Sequence, residues 1–340
     1  MGKLYVLGGR QRKALLKDPT KEWHWYEAAL ILEVDTGSGR VRTCVEYKSP
    51  AEVRASESSS VNFHSGILIG DKLYTCTTTE VLIFQVPSFR QVGYISLPCF
   101  NDLHHAIPAS DGNVLVVSTG LDMVFKISPA GEVVQEWCVV DETPWTRFSR
   151  SVDYRKIETT KPHLSHPNFV FELNGETWVT RFTQRDAISL NGSKSRIDIA
   201  LEKPHDGVPW GDHLVFTVVD GKVIFANRQT FQVDRVIDLR QIQDRNQRVL
   251  PAWCRGVLPV DSNSMWVGFT RIRQTLFREN VRWAKMVLRE GTVVKPTHIA
   301  LFDIANGVCL KEIDLEPYGL NCVFGIFPAK EGSDPTMSAK

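Results

Sequence analysis

Four of the nine histidines in this 340-residue chain open segments that resemble one another. The segments begin Phe63-His64-Ser65-Gly66-Ile67, Leu103-His104-His105-Ala106-Ile107, Ser165-His166-Pro167-Asn168-Phe169 and Pro204-His205-Asp206-Gly207-Val208. A fifth, Trp253-Cys254-Arg255-Gly256-Val257, keeps the pattern without the imidazole. Imidazole is a common ligand of divalent transition metals, and four converging on one point would suit Fe, Zn, Cu or Ni. Such a set adds no charge of its own, so the ion would keep its Lewis acidity and could take water or oxygen in an open position. His64, His104, His166 and His205 are therefore the expected metal ligands, with Fe(II) preferred and zinc also compatible. One such histidine would more simply be a polar residue satisfied at a strand end; the fourfold recurrence argues for a site.

The residues around these positions supply the remaining candidates. Asp102 and Asp206 lie beside the histidines, where a carboxylate can hold an imidazole tautomer or act as general base. His105 competes with His104 for the inward position, because adjacent strand residues face opposite ways. Arg255 could hold an anionic substrate or pair with a neighbouring carboxylate. Asp102, His105, Asp206 and Arg255 form the expected catalytic set. Cys254 is either a soft ligand or a small wall residue. Glu80, Asp122, Asp186 and Asp220 fall in later turns and could orient a ligating histidine, although an acidic residue in a tight turn needs no further explanation. His163 has chelating spacing to His166 but reads as a loop residue. His24 and His213 fall outside the pattern, and His298, early in an apolar strand, is compatible with either role.

These positions need a scaffold that brings distant segments together, and the rest of each segment provides it. After each opening come a turn, an apolar strand, a second turn and further apolar strands, with little helical periodicity. The turns include Gly70-Asp71-Lys72, Asp111-Gly112-Asn113 and Asn174-Gly175-Glu176. Four antiparallel strands per repeat of about 40 residues describe a β-propeller blade. Asn321-Cys322-Val323-Phe324-Gly325-Ile326-Phe327 reads as a first strand with nothing after it, and Lys3 to Gly8 as a second strand with nothing before it. Residues 28–36 and 40–48 complete the set. The expected fold is an all-β, six-bladed propeller of four antiparallel strands per blade, its ring closed by N- and C-terminal strands in one shared blade. Residues 1–330 would form this single domain and 331–340 a disordered tail.

First strands line a propeller's central channel, so the openings would ring one mouth in the order Asn321, His64, His104, His166, His205, Cys254. Insertions at 10–27, 141–163 and 271–296 would lie over that face. The stretch 275–288 reads as an amphipathic helix, suited to capping the mouth or to a dimer contact.

The chain resembles the six-bladed propellers of the gluconolactonase/regucalcin group. The resemblance covers nearly the whole chain but is architectural. It implies a lactonase-like hydrolase with a cation held by Glu, Asn and Asp, where this ring offers histidine. The all-histidine set is similar to the four-His iron centre of the carotenoid cleavage oxygenases, in ligand type and placement alone. Those propellers have seven blades and longer chains. That likeness implies non-haem Fe(II) and oxygen chemistry.

Composition narrows the classes. A formal charge of +1, with 40 Lys and Arg against 39 Asp and Glu, gives no basic excess for nucleic acid or an anionic membrane. No apolar run is long enough to span a bilayer, and the first residues read as a strand, not a secretory signal. The seven cysteines lack a Cys-x-x-Cys pair and read as reduced thiols of a cytoplasmic protein. Gly-rich phosphate loops, Gly-x-Ser-x-Gly and His-Glu-x-x-His are missing. The expected function is a metal-dependent enzyme, a non-haem iron oxygenase or oxidoreductase, acting on a small-molecule substrate. A lactonase-like hydrolase, a metal-assisted lyase or isomerase, and a non-catalytic propeller that binds a protein partner are the alternatives. A homodimer is compatible with the inserted helix.

Overall fold

The computed structural model describes residues 2–13, 25–192, 195–243, 249–250, 253–271 and 293–329. Runs rich in Val, Ile, Leu and Phe form strands that bury both faces, because every sheet is sandwiched between two others. Among the described residues these strands make six four-stranded antiparallel sheets and one short parallel pair, Val249–Leu250 with Val293–Val294. The six-bladed propeller expected from the repeat is the fold.

The shared blade runs Cys322–Pro328, Lys3–Gln11, Tyr26–Asp35 and Val41–Tyr47. The second blade runs Ile67–Ile69, Lys72–Cys76, Val81–Gln85 and Arg90–Ile95. The innermost strands of the next four blades are Leu103–Pro108, Pro167–Leu173, Pro204–Trp210 and Trp253–Pro259. Strand alternation explains closure. From Lys3–Gln11, Leu4 and Val6 pack with Trp266, Ile299 and Leu301 of the sixth blade. Tyr5 and Leu7 point the other way and pack with Phe63, Leu73, Leu82 and Phe84 of the second. Pairing of Leu4 with Pro328 through Gly9 with Cys322 joins the two chain ends and covers the edge that Lys3–Gln11 would otherwise expose.

Five of the six innermost strands share one irregularity, Ile67–Ile69 being the exception. Register shifts fall between Leu103 and His105, Pro167 and Phe169, Asp206 and Val208, and Cys254 and Val257. In the shared blade the shift lies between Leu7 and Gly8, opposite Phe324. A β-bulge leaves one residue out of the ladder and re-aims its side chain. His104, Asn168, Gly207, Arg255 with Gly256, and Phe324 occupy these bulges. The partner strand must leave room: a Cβ on Gly268 would lie 2.4 Å from the carbonyl oxygen of Arg255 and 2.4 Å from Val323 Cγ1.

Most of the 10–27 insertion with His24, the 275–288 stretch with nearly all of 271–296, and the 331–340 tail lie outside the described residues. Among the described residues no helix is long and apolar enough to cross a membrane. All seven cysteines carry free thiols.

Candidate functional site

A cavity of about 530 Å³ opens at the end of the channel where the innermost strands begin. The ring contributes His64, His104, His166, Arg255 and Phe324. Two connections wall it: the stretch after the shared blade, with Arg54 and Ser60, and the 141–163 insertion, with Arg155, Glu158, Lys161 and His163. The walls are tied together, since Lys156 Nζ donates to the Ala51 carbonyl at 2.9 Å and Ser56 Oγ to Glu158 at 2.5 Å.

The aromatic rings form a chain around the mouth. His64 meets His104 edge-on at 4.5 Å between centroids, and His104 meets His166 at 4.9 Å. His166 Nδ1 lies 3.1 Å from His163 Nδ1. In the other direction His64 stacks on Phe324 at 4.7 Å, and the Arg255 guanidinium lies 4.9 Å over the same ring and 5.9 Å from that of Trp253. Phe182 stands between His166, at 4.9 Å, and His205, at 5.3 Å. His205 is buried and does not border the cavity. Three of the four expected ligands are therefore neighbours, and Phe182 intervenes before the fourth.

Electrostatics make this a cluster of neutral imidazoles. Burial pushes His64, His166 and His205 well below 6.5, and next to burial it is His104 that depresses His64 and His166, and Arg255 that depresses His205. Burial also lowers His104 and His163 against the pull of Asp102. Burial opposes ionisation of Asp102, but His104, His163, Lys161 and His64 outweigh it and bring the carboxyl to about 2. His104 Nδ1 donates to the Asp102 carbonyl oxygen at 2.9 Å, which leaves the lone pair on Nε2.

Pairing register refines the repeat. His64, His104 and His205 each stand three residues before Ile67, Ile107 and Val208, which pair with Tyr74, Leu115 and Val215. In the fourth blade that position belongs to Asn168, ahead of Phe171, which pairs with Trp178. His166 stands two residues earlier and reaches His104 from a left-handed backbone, φ 56°. Asp102 and Asp206 share that conformation, at φ 49° and 64°. Left-handed non-glycine residues cost about 1–3 kcal/mol each and gather at functional sites.

Several expected roles change. His105 faces away from the cavity: Val170 N–H donates to its Nδ1 at 3.1 Å, so Nε2–H must donate to the Gly66 carbonyl at 3.2 Å. It stacks on Phe169 at 3.7 Å, and burial pushes its pKa down to about 3. The bulge at His104 decides between the two neighbours, and His105 becomes a strut joining three blades. Asp206 is likewise off the cavity. Its carboxylate accepts from Thr217 Oγ1 and, at 3.0 Å, from Gly256 N–H, and burial raises it to about 6. Cys254 packs in the core between the fifth and sixth blades, as a wall residue.

Among the described residues, none of the four turn carboxylates hydrogen-bonds an imidazole. Asp122 accepts the backbone N–H groups of Leu164, Ser165 and His166 at 2.8, 3.0 and 2.8 Å and pairs with Arg147 at 2.8 Å. It places His166 through the main chain. Asp186 pairs with Arg181 and Arg196, and Asp220 with Lys222. Glu80 accepts from Tyr47, Thr77, Tyr94 and Ser49 hydroxyls. His213 bonds Asp234 at 2.9 Å, and His298 stacks on Phe269 and donates to the Pro296 carbonyl.

Sequence reasoning missed His163, Phe182, Phe324, Trp253 and Lys203 as cavity residues. The His-x-x-His spacing was a signal for His163. Phe324 follows from the bulge alone, which one strand does not reveal. Among the described residues, no group of three or more His, Cys, Asp or Glu side chains is placed, as they stand, to hold a metal ion.

No protein-family model matches the chain, and no curated protein matches it. Among solved structures it is similar to a protein of unknown function from Bacteroides caccae, at 12% identity over 97% of this chain and 100% of that one, with a TM-score of 0.61. Virginiamycin B lyase from Staphylococcus aureus, at 10% identity over 91% of this chain and 88% of that one, gives a TM-score of 0.46. A streptogramin B lyase, at 12% identity over 92% and 88%, gives 0.46. Likeness at this level of identity shows the fold alone. Fold and site together define a six-bladed β-propeller with a histidine-lined pocket at one channel mouth.

Proposed function

We propose that the protein is an enzyme that moves protons on a small organic substrate held in this pocket, in a lyase- or isomerase-type reaction. The observation that carries the reading is a set of neutral imidazoles lining a walled cavity, His64 and His104 buried and His163 and His166 half-buried, with the tautomer of His104 set by a carbonyl acceptor. A neutral imidazole with a lone pair on Nε2 is a general base. The Asp102 carbonyl holds the ring, and the ionised Asp102 carboxylate, 3.8 Å from Nδ1, stabilises the imidazolium that forms. The Nδ1 atoms of His163 and His166 are close enough to share one proton, which gives the base a neighbouring store. The walls favour this reading over a protein-binding propeller, whose contact face would be open. The free thiols favour a reducing, cytoplasmic setting.

The test is turnover of small organic acids and lactones in deuterated water, read by NMR. Substrate carbon-bound deuterium should appear with the wild type and fall about 100-fold or more in His104→Gln. Unchanged exchange in that variant would overturn the reading.

A second reading, a four-imidazole centre for iron or zinc, has its own support. His64 Nδ1 and His205 Nε2 are buried with no hydrogen-bond partner among the described residues. The ring spacings of His64, His104 and His166 bring three donors together. Because no group of three among the described residues closes on an ion as the side chains stand, no step is routed through a metal. Elemental analysis of protein purified without chelator, with oxygen uptake, decides it. One iron or zinc per chain, lost in His64→Ala, would favour this reading.

A further inference from the structure

Arg255 projects from the bulge of the sixth blade into the cavity. Its guanidinium lies against the rings of Phe324 and Trp253, yet it makes no hydrogen bond or ion pair among the described residues, and its Nε is buried without a partner. The other arginines bordering the cavity each have a partner: Arg155 is paired with Asp153 and Arg271 with Glu316, and Arg54 donates from Nη1 to the Glu57 carbonyl at 3.2 Å, although its Nε, too, is buried without a partner among the described residues. A partly buried guanidinium without an anion is costly, because desolvation weakens the charge and nothing returns that loss. Another orphan donor, Asn62 Nδ2, borders the same cavity and is also buried without a partner among the described residues. Aromatic side chains, Trp25, Phe182, Trp253 and Phe324, line much of the remaining surface.

We propose that Arg255 and Asn62 form the anchoring subsite for the carboxylate of a planar, aromatic or otherwise unsaturated organic acid. The proposal rests on the cavity's being the substrate pocket and names the substrate class. The guanidinium fork matches a carboxylate with two parallel N–H···O bonds, and its stacking on aromatic faces fixes the plane of that fork. The aromatic lining covers the apolar body of the acid. A carboxylate seated on Arg255 also suits the proton transfer proposed above, since cationic donors stabilise negative charge that develops beside a carboxylate.

The test is titration of the full-length protein with benzoate, benzamide and inorganic phosphate, followed by NMR or calorimetry. Benzoate should bind the wild type at millimolar concentration, and benzamide and phosphate should bind at least tenfold more weakly. Arg255→Gln should weaken benzoate binding about ten- to hundredfold. Arg255→Lys, which keeps the charge and loses the fork, should recover only part of it. Asn62→Asp, which preserves shape and places a negative charge in the subsite, should also weaken benzoate, which keeps the test alive if Arg255→Gln fails to fold. Equal binding of benzamide, undiminished binding in Arg255→Gln, phosphate binding that depends on Arg255 and matches benzoate, or no benzoate binding to the wild type would each overturn the assignment. Arg255-dependent benzoate binding in a protein whose exchange chemistry ignores His104→Gln would sustain the subsite and sink the proton-transfer reading. The opposite pattern would sink the subsite alone.

Discussion

His105 ties the stability of the ring to pH in a definite direction. Its folded pKa of about 3 lies below the ordinary 6.5, so the fold prefers the neutral ring and the unfolded chain takes up a proton that the folded chain refuses. The stabilisation is complete above pH 6.5 and is lost progressively as the pH falls toward 3. At about 1.36 kcal/mol per pH unit, the whole displacement is worth roughly 5 kcal/mol, and about 1.4 kcal/mol has gone by pH 5.5. That is a large share of the roughly 5–15 kcal/mol that holds a domain together. His64, His104, His166 and His205 shift in the same direction and steepen the loss. Asp206, raised to about 6, works against them, because its folded carboxyl holds a proton that the unfolded chain releases; its contribution grows as the pH falls through 6. The diagnostic variant is His105→Asn, whose amide oxygen can still accept the Val170 N–H but which loses the Gly66 bond and the Phe169 stack. Urea unfolding between pH 7.5 and 5 should find it about 2–3 kcal/mol less stable than the wild type at pH 7.5. Below pH 6.5 the gap should narrow by about 1.4 kcal/mol per pH unit, because the variant has one proton fewer to take up. Parallel stability curves down to pH 5 would refute the neutral, buried imidazole.

Two more outcomes follow from the same geometry. Asp122→Ala strips the acceptor from three backbone N–H groups and from Arg147, and should destabilise the protein by about 3–5 kcal/mol in chemical unfolding; Asp122→Asn, which keeps an acceptor oxygen, should cost less, and equal losses would show that charge alone matters. Ending the chain at Asn321 removes the strand paired with Lys3–Gln11 and takes Val323 and Ile326 out of the core, so near-ultraviolet circular dichroism should show no native packing, whereas a cooperatively folded truncation would disprove closure through the shared blade.

Blade count, strand order and the shared blade were legible in the sequence because each is written in local terms: apolar runs of strand length, turn residues between them, and a repeat broken across the two ends. The strands expected at 28–36 and 40–48 are Tyr26–Asp35 and Val41–Tyr47. The recurrence of histidine at the strand openings was legible for the same reason, and His64, His104 and His166 border the cavity at that mouth of the channel. What a single strand cannot show is which residue a bulge expels, because the extra residue exists only relative to the register of its partner. Register between strands turned His104 inward and His105 into the core, brought Arg255 and Phe324 to the cavity, and set Asn168 rather than His166 at the matching position. Packing between blades then drew His163 onto His166, set Phe182 between His166 and His205, and engaged the turn carboxylates with arginine, lysine, hydroxyls and backbone. Those choices depend on contacts between residues far apart in the chain, where periodicity carries no information and only the closed ring brings the partners within reach.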